Sequence, residues 1–414
     1  MINKRKIIND PVYGFINIPY AILYDLIEHP YFQRLRRIQQ LGLTNYVYPG
    51  ANHTRFQHAL GAMFLMEQAI SVLRSKGQCI TEEEAEGVMI AILLHDIGHG
   101  PFSHALENSI VPDISHEKMS YLFMLELNRQ FQGKLSLAIE IFQNRYPRKF
   151  LNQLVSSQLD MDRLDYLPRD SFFTGVTEGI IGSDRIIKML TVDNDELVVE
   201  EKGIYSIEKF LVARRLMYWQ VYFHKTVISA ENLLVNTLKR VKQLAGRDEQ
   251  VFSTPYLGFF LRNDLDVIQQ IDSEDPDERK ILLDNFSLLE DNDIMVSAKV
   301  WADHKDRTLS ILSRNLVTRK LYKIELQYQS FPDELVQEHS QRIINLLGIA
   351  AEDINYFVFT GEISINTYKT SDDRIKILLK SGDVVDITEA SDMLDQTVLA
   401  KRVVKHFLCY PKGE

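Results

Sequence analysis

Cysteine is nearly absent from this chain of 414 residues, with Cys79 and Cys409 the only two. Two thiols build neither a disulfide framework nor a thiolate metal site, which points to a reducing compartment. Long hydrophobic runs are missing as well. No stretch approaches the roughly 18 consecutive apolar residues of a membrane span, and no apolar segment of signal-peptide type follows the charged start MINKRKIINDPVYG. A basic surplus is also lacking. Lys and Arg number 47 against 57 Asp and Glu, a formal net charge of −10, and the basic residues are dispersed. That balance argues against a non-specific nucleic-acid binder and leaves room only for a local basic pocket suited to a small polyanion. There is no internal repeat and no low-complexity tract. The expected location is the cytoplasm, with neither membrane nor nucleic acid as a partner.

What is present is enough apolar material, 45% of residues, for a large core and more than one domain. Residues 1–250 read as mainly helical, 251–314 as a helical extension and 315–414 as a small α+β lobe. YAILYDLIEHPYFQRLRRIQQLG predicts a helix, a restart at Pro30 and a stop at Gly42. HTRFQHALGAMFLMEQAISVLRSKG predicts a long amphipathic helix with Arg55 and His58 on one face. In TEEEAEGVMIAILLHDIGHG, Thr81 and the acids after it start a helix that the glycines at 98 and 100 end. DELVVEEKGIYSI predicts a hairpin turning at Lys202 and Gly203, followed by one long helix through KFLVARRLMYWQVYFHKTVISAENLLVNTLKRV. Beyond about residue 315, LYKIELQYQ, NYFVFTG, RIKILLKSGDVVDI and VVKHFLCYP read as strand-rich segments, with a helix over DELVQEHSQRIINLLG. The acidic DSEDPDERK reads as a solvated loop or helix start.

The chemistry is concentrated in LLHDIGHGPFSH, where His95 and Asp96 are adjacent and His99 and His104 follow. A single His is more often a satisfied polar residue than a ligand, and an HD doublet alone is weak. The set is stronger: His58 in RFQHALG lies upstream and Asp162 in LDMDRLDYLPRD downstream. Two imidazoles and two carboxylates suit one divalent ion, among Mn, Fe, Mg, Ni and Zn, with positions left for water and a phosphate oxygen. The alternative for the acidic run is that its aspartates cap a helix and pair with Arg163 and Arg169, and that is the reading taken for Asp165.

RFQHALG, HDIGHGPFSH, SHEKMS, LDMDRLDYLPRD and YFHK closely resemble the motifs of HD-superfamily phosphohydrolases. The nearest resemblance is to the deoxynucleoside triphosphate triphosphohydrolases, which include bacterial dGTPase-like enzymes and the animal SAM-and-HD-domain enzyme. The resemblance implies an HD-domain helical core, one catalytic metal held by His58, His95, Asp96 and Asp162, and hydrolysis of dNTPs to deoxynucleoside and inorganic triphosphate. It further implies phosphate binding by Arg55, catalytic positions at His104, Glu107 and His116, and a phosphate-lining His99. Glu107 stands where the animal pattern has Asp. Read without the resemblance, His116 is equally a helix N-terminal residue beside Ser115 and Glu117.

For substrate, the resemblance assigns Gln40, Arg163, Tyr166 and Asp170 to sugar and phosphate, and Arg214, Tyr222, His224 and Lys225 to phosphate or base. Tyr166 and Tyr222 have the alternative reading of core aromatics, and Tyr218 replaces a histidine of the animal pattern. A guanine-nucleotide activator site is implied at Asn9, Glu28, Gln33 and Arg36, the bland alternative being ordinary ion pairs on a surface helix. It would lie at the interface of a homo-oligomer, a dimer or tetramer. Other readings are hydrolysis of a nucleoside mono- or diphosphate or an alarmone, a nuclease, which the acidic balance opposes, or a nucleotide sensor without turnover. The HHE and GYP signatures of cyclic di-GMP phosphodiesterases are absent.

Overall fold

The computed structural model describes residues 6–102, 109, 115–263, 275–365, 368, 374–393 and 402–413. The chain starts as a two-stranded hairpin, β1 (Ile7–Asp10) with β2 (Gly14–Asn17), in which Ile8 faces Ile16. Helices α1 (Ala21–Glu28), α2 (Pro30–Gln33), α3 (Arg55–Ser75) and α4 (Glu82–Leu94) follow. Next come α5 (His116–Gln130), α6 (Ser136–Phe142), α7 (Lys149–Val155), α8 (Met161–Thr174) and α9 (Ser183–Met189). Strands β3 (Leu190–Asp193) and β4 (Glu196–Glu200) lead to α10 (Ile204–Met217), α11 (Lys225–Ala245) and α12 (Pro255–Arg262). The last helical group is α13 (Pro276–Ser287), α14 (Asp291–Trp301) and α15 (Arg307–Val317). The remainder is β5 (Lys323–Gln327), α16 (Asp333–Leu347), β6 (Phe359–Ile365), β7 (Lys376–Leu378), β8 (Val384–Asp386), α17 (Ile387–Ala390) and β9 (Val403–Tyr410). The fold is mainly α, as its sequence pattern predicts.

Local chemistry accounts for several of these boundaries. Thr81 caps α4 by accepting from the Glu84 amide, and Glu84 reaches back to the Thr81 amide, a reciprocal capping box. His29 caps α2 through Nδ1, with Pro30 at the first helical position. In α8, Pro168 has no N–H for the Leu164 carbonyl, and the Ser183 hydroxyl donates to that carbonyl instead at 2.9 Å. From residue 275 the acidic run is a helix start, with Asp275 capping α13, while residues 272–274 lie outside the described residues.

Four expectations are corrected. The helical stretch after Pro30 ends in a 3-10 turn at Arg34–Arg37, where the chain turns extended so that Gln39 bridges Thr54; Gly42, at φ 49°, opens a new 3-10 turn instead of stopping a helix. Helix α3 is not amphipathic. It packs against both α4 and α8, and its first half is buried almost all round. The hairpin turns at Asn194 and Asp195, both at positive φ as a two-residue turn of this kind requires, while Lys202 and Gly203 lie in a 3-10 turn leading into α10. The long helix after it is broken. A π-helical turn at Tyr218–Tyr222, marked by the Phe223 amide donating to the Tyr218 carbonyl at 2.7 Å, is followed by extended His224, which caps α11.

Three small sheets complete the fold: β1-β2, β3-β4-β7-β8 and β5-β9-β6. Strand β7 pairs parallel to β4, so the C-terminal stretch adds strands to a hairpin of the helical part. One continuous apolar cluster runs from Ile16 to Tyr410. Cys409 is buried on β9 and Cys79 is exposed. Among the described residues no helix is long and apolar enough to cross a membrane.

The contact between α3 and α8 depends on Gly61. A Cβ there would lie 2.0 Å from Asp165 Oδ1 and 2.2 Å from Arg169 Nη2, two members of a buried ion pair. Gly61→Ala therefore has to break or displace that pair, and we expect a loss of about 3 kcal/mol or more of folding stability in chemical denaturation. A change below about 1 kcal/mol would mean the helices separate freely at this point.

Candidate metal centre and active site

Three elements deliver the central side chains. His58 comes from the buried first half of α3, His95 and Asp96 from the end of α4, and Asp162 from the first turn of α8. One donor atom each from His58, His95 and Asp162 lie within 4.8 Å of one another. Asp162 Oδ1 is 3.1 Å from His58 Nε2 and 3.6 Å from His95 Nε2. Asp96 stands beside this triad, Oδ1 3.4 Å from His95 Nε2 and Oδ2 3.8 Å from His58 Nε2.

The far nitrogen of each imidazole is already committed. His58 Nδ1 is 2.7 Å from Asp165 Oδ2, and His95 Nδ1 is 2.6 Å from the Ile92 carbonyl. Both partners only accept, so each Nδ1 carries a proton and each Nε2 is turned toward the carboxylates. Both Nε2 atoms are buried and have no hydrogen-bond partner among the described residues. A bare ring nitrogen facing a carboxylate is repulsive unless a proton or a metal ion lies between them, so the donor set fits a divalent metal. The electrostatics agree. Burial pushes the His58 imidazole down, but Asp162 and Asp165 outweigh it and raise it to about 10. His95 is raised too, against burial, by Asp96 and Asp162. Asp162 is held well below the usual carboxylate range, against its burial, by the two imidazoles. The pocket is a hole for positive charge.

The turn after His95 is clamped at several points. Ser120 on α5 donates to the His95 carbonyl at 2.7 Å and accepts from the Gly98 amide at 2.9 Å. Fully buried Arg34 donates to the Ile97 and His99 carbonyls. Gly98 is needed for this approach, since a Cβ there would lie 2.2 Å from the Ser120 amide nitrogen. Asp291 accepts from the Gln39 and Phe102 amides, tying the start of α14 to both sides of the site.

Arg55 donates to Asp96 Oδ2 at 2.6 Å. His99 Nε2 is 3.3 Å from Asp96 Oδ1, and its ring stacks on His116, the first residue of α5, at 3.9 Å. Burial and the Arg55 charge lower the His99 imidazole to about 3, so it is neutral. On the other side, the Tyr166 ring lies between those of His58 and Tyr222, with centroids 6.5 and 6.3 Å away. Tyr222 donates to Asp170 Oδ2 at 2.7 Å. Arg163 pairs with Asp160, the cap of α8, and Arg214 lies 5.9 Å from the Tyr218 ring. Buried Gln40 Oε1 and Arg163 Nε have no hydrogen-bond partner among the described residues. His224 uses Nδ1 as a helix cap, and Lys225 is exposed at the first position of α11. Of the activator candidates, Gln33 and Arg36 are bonded at 2.8 Å with Arg36 over the Phe56 ring, while Glu28 and Asn9 are exposed on α1 and β1. His104 and Glu107 lie outside the described residues.

Several contributors escape a sequence reading. Asp165 pairs with Arg169 as expected, but also orients His58. It sits three residues after Asp162, a spacing that shares a helix face and could have flagged it. Arg34, Ser120, Asp291 and His53 act from turns or distant helices and carry no local signal.

Comparison with known proteins gives the frame. Residues 55–170 match the HD domain, a span that contains all four expected ligands, and residues 181–255 match the HD associated region. A crystal structure of a phosphohydrolase from Bacteroides thetaiotaomicron VPI-5482 superposes with TM-score 0.94 at 54% identity, over 99% of this chain and 100% of that one. The chain belongs to the HD-domain phosphohydrolase family. This HD phosphohydrolase is also similar to YwfO of Bacillus subtilis (strain 168), 31% identical over 99% of this chain and 93% of that protein. The deoxynucleoside triphosphate triphosphohydrolase SAMHD1 homolog of Dictyostelium discoideum is 31% identical over 60% of this chain and 52% of its own length. HD domains bind divalent metals, and the cluster of His58, His95 and Asp162 is a site able to hold one.

Because Asp165 fixes the His58 ring from behind, Asp165→Asn should lower divalent-metal affinity about 10- to 100-fold while the chain stays folded. Calorimetric titration of the metal-free protein with Mn²⁺ measures this. Unchanged affinity in a folded variant would reduce Asp165 to a partner of Arg169.

Proposed function

We propose that this HD phosphohydrolase hydrolyses deoxynucleoside triphosphates to deoxynucleoside and inorganic triphosphate with one divalent metal, working as a homo-oligomer in the cytoplasm. The observation that carries the reading is the pair of unsatisfied Nε2 atoms facing Asp162, with histidine and arginine side chains on one flank and the Tyr166, Tyr222 and Asp170 group on the other. The likeness to a relative named as a dNTP triphosphohydrolase supports the substrate class.

His58, His95, Asp96 and Asp162 would hold the metal, whose chemistry when bound is Lewis-acid polarisation of the α-phosphate and activation of water. This chain's own residues do the rest. Arg55, already beside Asp96, binds phosphate oxygens through its planar fork. Attack at the α-phosphorus breaks its bond to the 5′ oxygen, and His104 or His116 supplies the proton that the departing oxygen takes up. A Tyr166 ring packed against the sugar would leave no room for a ribose 2′-hydroxyl, which favours the deoxy sugar. Asn9, Glu28, Gln33 and Arg36 would form the guanine-nucleotide activator contact; Gln33 and Arg36 bond each other.

The test is product analysis after incubating metal-loaded protein with the four dNTPs and GTP, singly and mixed. Deoxynucleoside plus triphosphate is the expected product, and turnover confined to mixtures would assign the activator role. Monophosphate or diphosphate products would move the reading to another nucleotide hydrolase, and no product to a sensor. His116→Ala should lower kcat at least about tenfold with a smaller change in KM; equal loss in both would make His116 a structural helix start.

A further inference from the structure

His53 lies outside the ligand set, in the stretch just before α3, and is almost completely buried. Its Nε2 is 2.8 Å from Asp170 Oδ1. A carboxylate only accepts, so Nε2 carries the proton and donates. Tyr222 donates to the other oxygen of the same carboxylate. Two donors from different elements thus hold Asp170, itself buried, in one orientation, and each oxygen keeps a lone pair for a further hydroxyl. The His53 ring is fixed in turn by stacking on Phe173 at 4.5 Å and 14°. The loop before it packs so closely that a Cβ on Gly50 would lie 2.5 Å from the Phe173 carbonyl.

The backbone of His53 does a second job. Its carbonyl accepts from the Gln40 amide at 3.0 Å, next to the bridge of Gln39 with Thr54. One residue therefore fixes both a buried carboxylate and the chain that carries Gln40, whose carboxamide oxygen is buried without a partner. Asp170 is on α8, two turns from Asp162, roughly 12 Å along the helix axis. The rings of Tyr166 and Tyr222 line the way from His58 to Asp170, so a nucleotide with its phosphates at the triad would lay its sugar along them.

We propose that His53 is the positioning residue for sugar recognition, holding Asp170 and Gln40 so that together they bind the 3′-hydroxyl of a deoxynucleotide. The assignment rests on the substrate reading above. Without the His53 donor, one oxygen of a buried carboxylate loses its partner, and Asp170 is free to rotate. That rotation spoils the acceptor that the sugar hydroxyl needs. The effect is confined to ligands that carry this hydroxyl.

The test compares each dNTP with its 2′,3′-dideoxy counterpart on metal-loaded wild type, His53→Phe and His53→Gln. Phe keeps the stack on Phe173 without a donor, and Gln restores an N–H near the position of Nε2. His53→Phe should raise KM for the dNTP about tenfold or more while KM for the dideoxy compound stays within about twofold and metal content is unchanged. His53→Gln should recover most of the dNTP KM. Equal loss on both substrates, or Gln no better than Phe, overturns the role of His53 and leaves the triphosphohydrolase reading intact. Equal KM of wild type for the two substrates removes the 3′-hydroxyl contact and the proposal with it. A wild type that hydrolyses no dNTP overturns the substrate reading itself. Should His53→Phe not fold, His53→Asn, too short to reach Asp170, takes its place with the same expected outcomes.

Discussion

Two buried imidazole nitrogens and a carboxylate face each other at the centre of this molecule, and much of the surrounding structure holds them there. The geometry is set from behind, where Asp165 binds the Nδ1 of His58 and is itself gripped by Arg169. Arg169 continues the chain to Asp10, whose carboxylate also accepts from the Val12 and Tyr13 amides at the tip of the first hairpin. Burying this many charges is costly, and here Arg169 is shared between Asp165 and Asp10, whose oxygens are further held by the His58 ring and two backbone amides. The first residues of the chain thereby steady a ring at the metal centre without approaching it.

Around that centre, rigid and adjustable parts are separated. The candidate ligands come from α3, α4 and α8, of which α4 and α8 each pack on α3. The wall around them comes from irregular backbone: the turn after His95, the bridge at Gln39 and the π-helical turn carrying Tyr218 and Tyr222. The π turn is held by side chains from three places. Tyr48 donates to the Gln220 carbonyl, Gln220 donates to Glu178, and Lys405 on β9 sits 4.0 Å from the Trp219 ring. A π turn frees carbonyls that a regular helix would use, and here one of them finds the Tyr48 hydroxyl.

Regular elements with strong end signals were legible in the sequence: the Thr81 cap, the Pro30 restart, the mainly helical class and the later strands. The cluster of His58, His95 and Asp162 was legible because these residues, with Asp96 beside them, are chemically unusual together. What stayed hidden depended on tertiary partners. Nothing local distinguishes α3 from an amphipathic helix until α8 covers its second face. The break at Tyr218 has no Gly or Pro to announce it, because the imidazole of His224 and the hydroxyl of Tyr48 do the work from elsewhere. His53 looks like one more loop histidine until Asp170 arrives from a distant helix.

The parallel pairing of β4 with β7 has a consequence for the order of assembly. Residues 198–200 cannot complete their sheet until residues 376–378 have been synthesised, so a growing chain carries the open edge of β4 while residues 201–375 are made. Closing so large a loop is slow, and an unpaired strand edge in the meantime invites pairing with another chain. Helices α3, α4 and α8 can gather the metal ligands early, but the hairpin packed beside them stays unfinished until the end. Chains cut short before residue 376 would therefore combine a formed metal centre with a sticky edge.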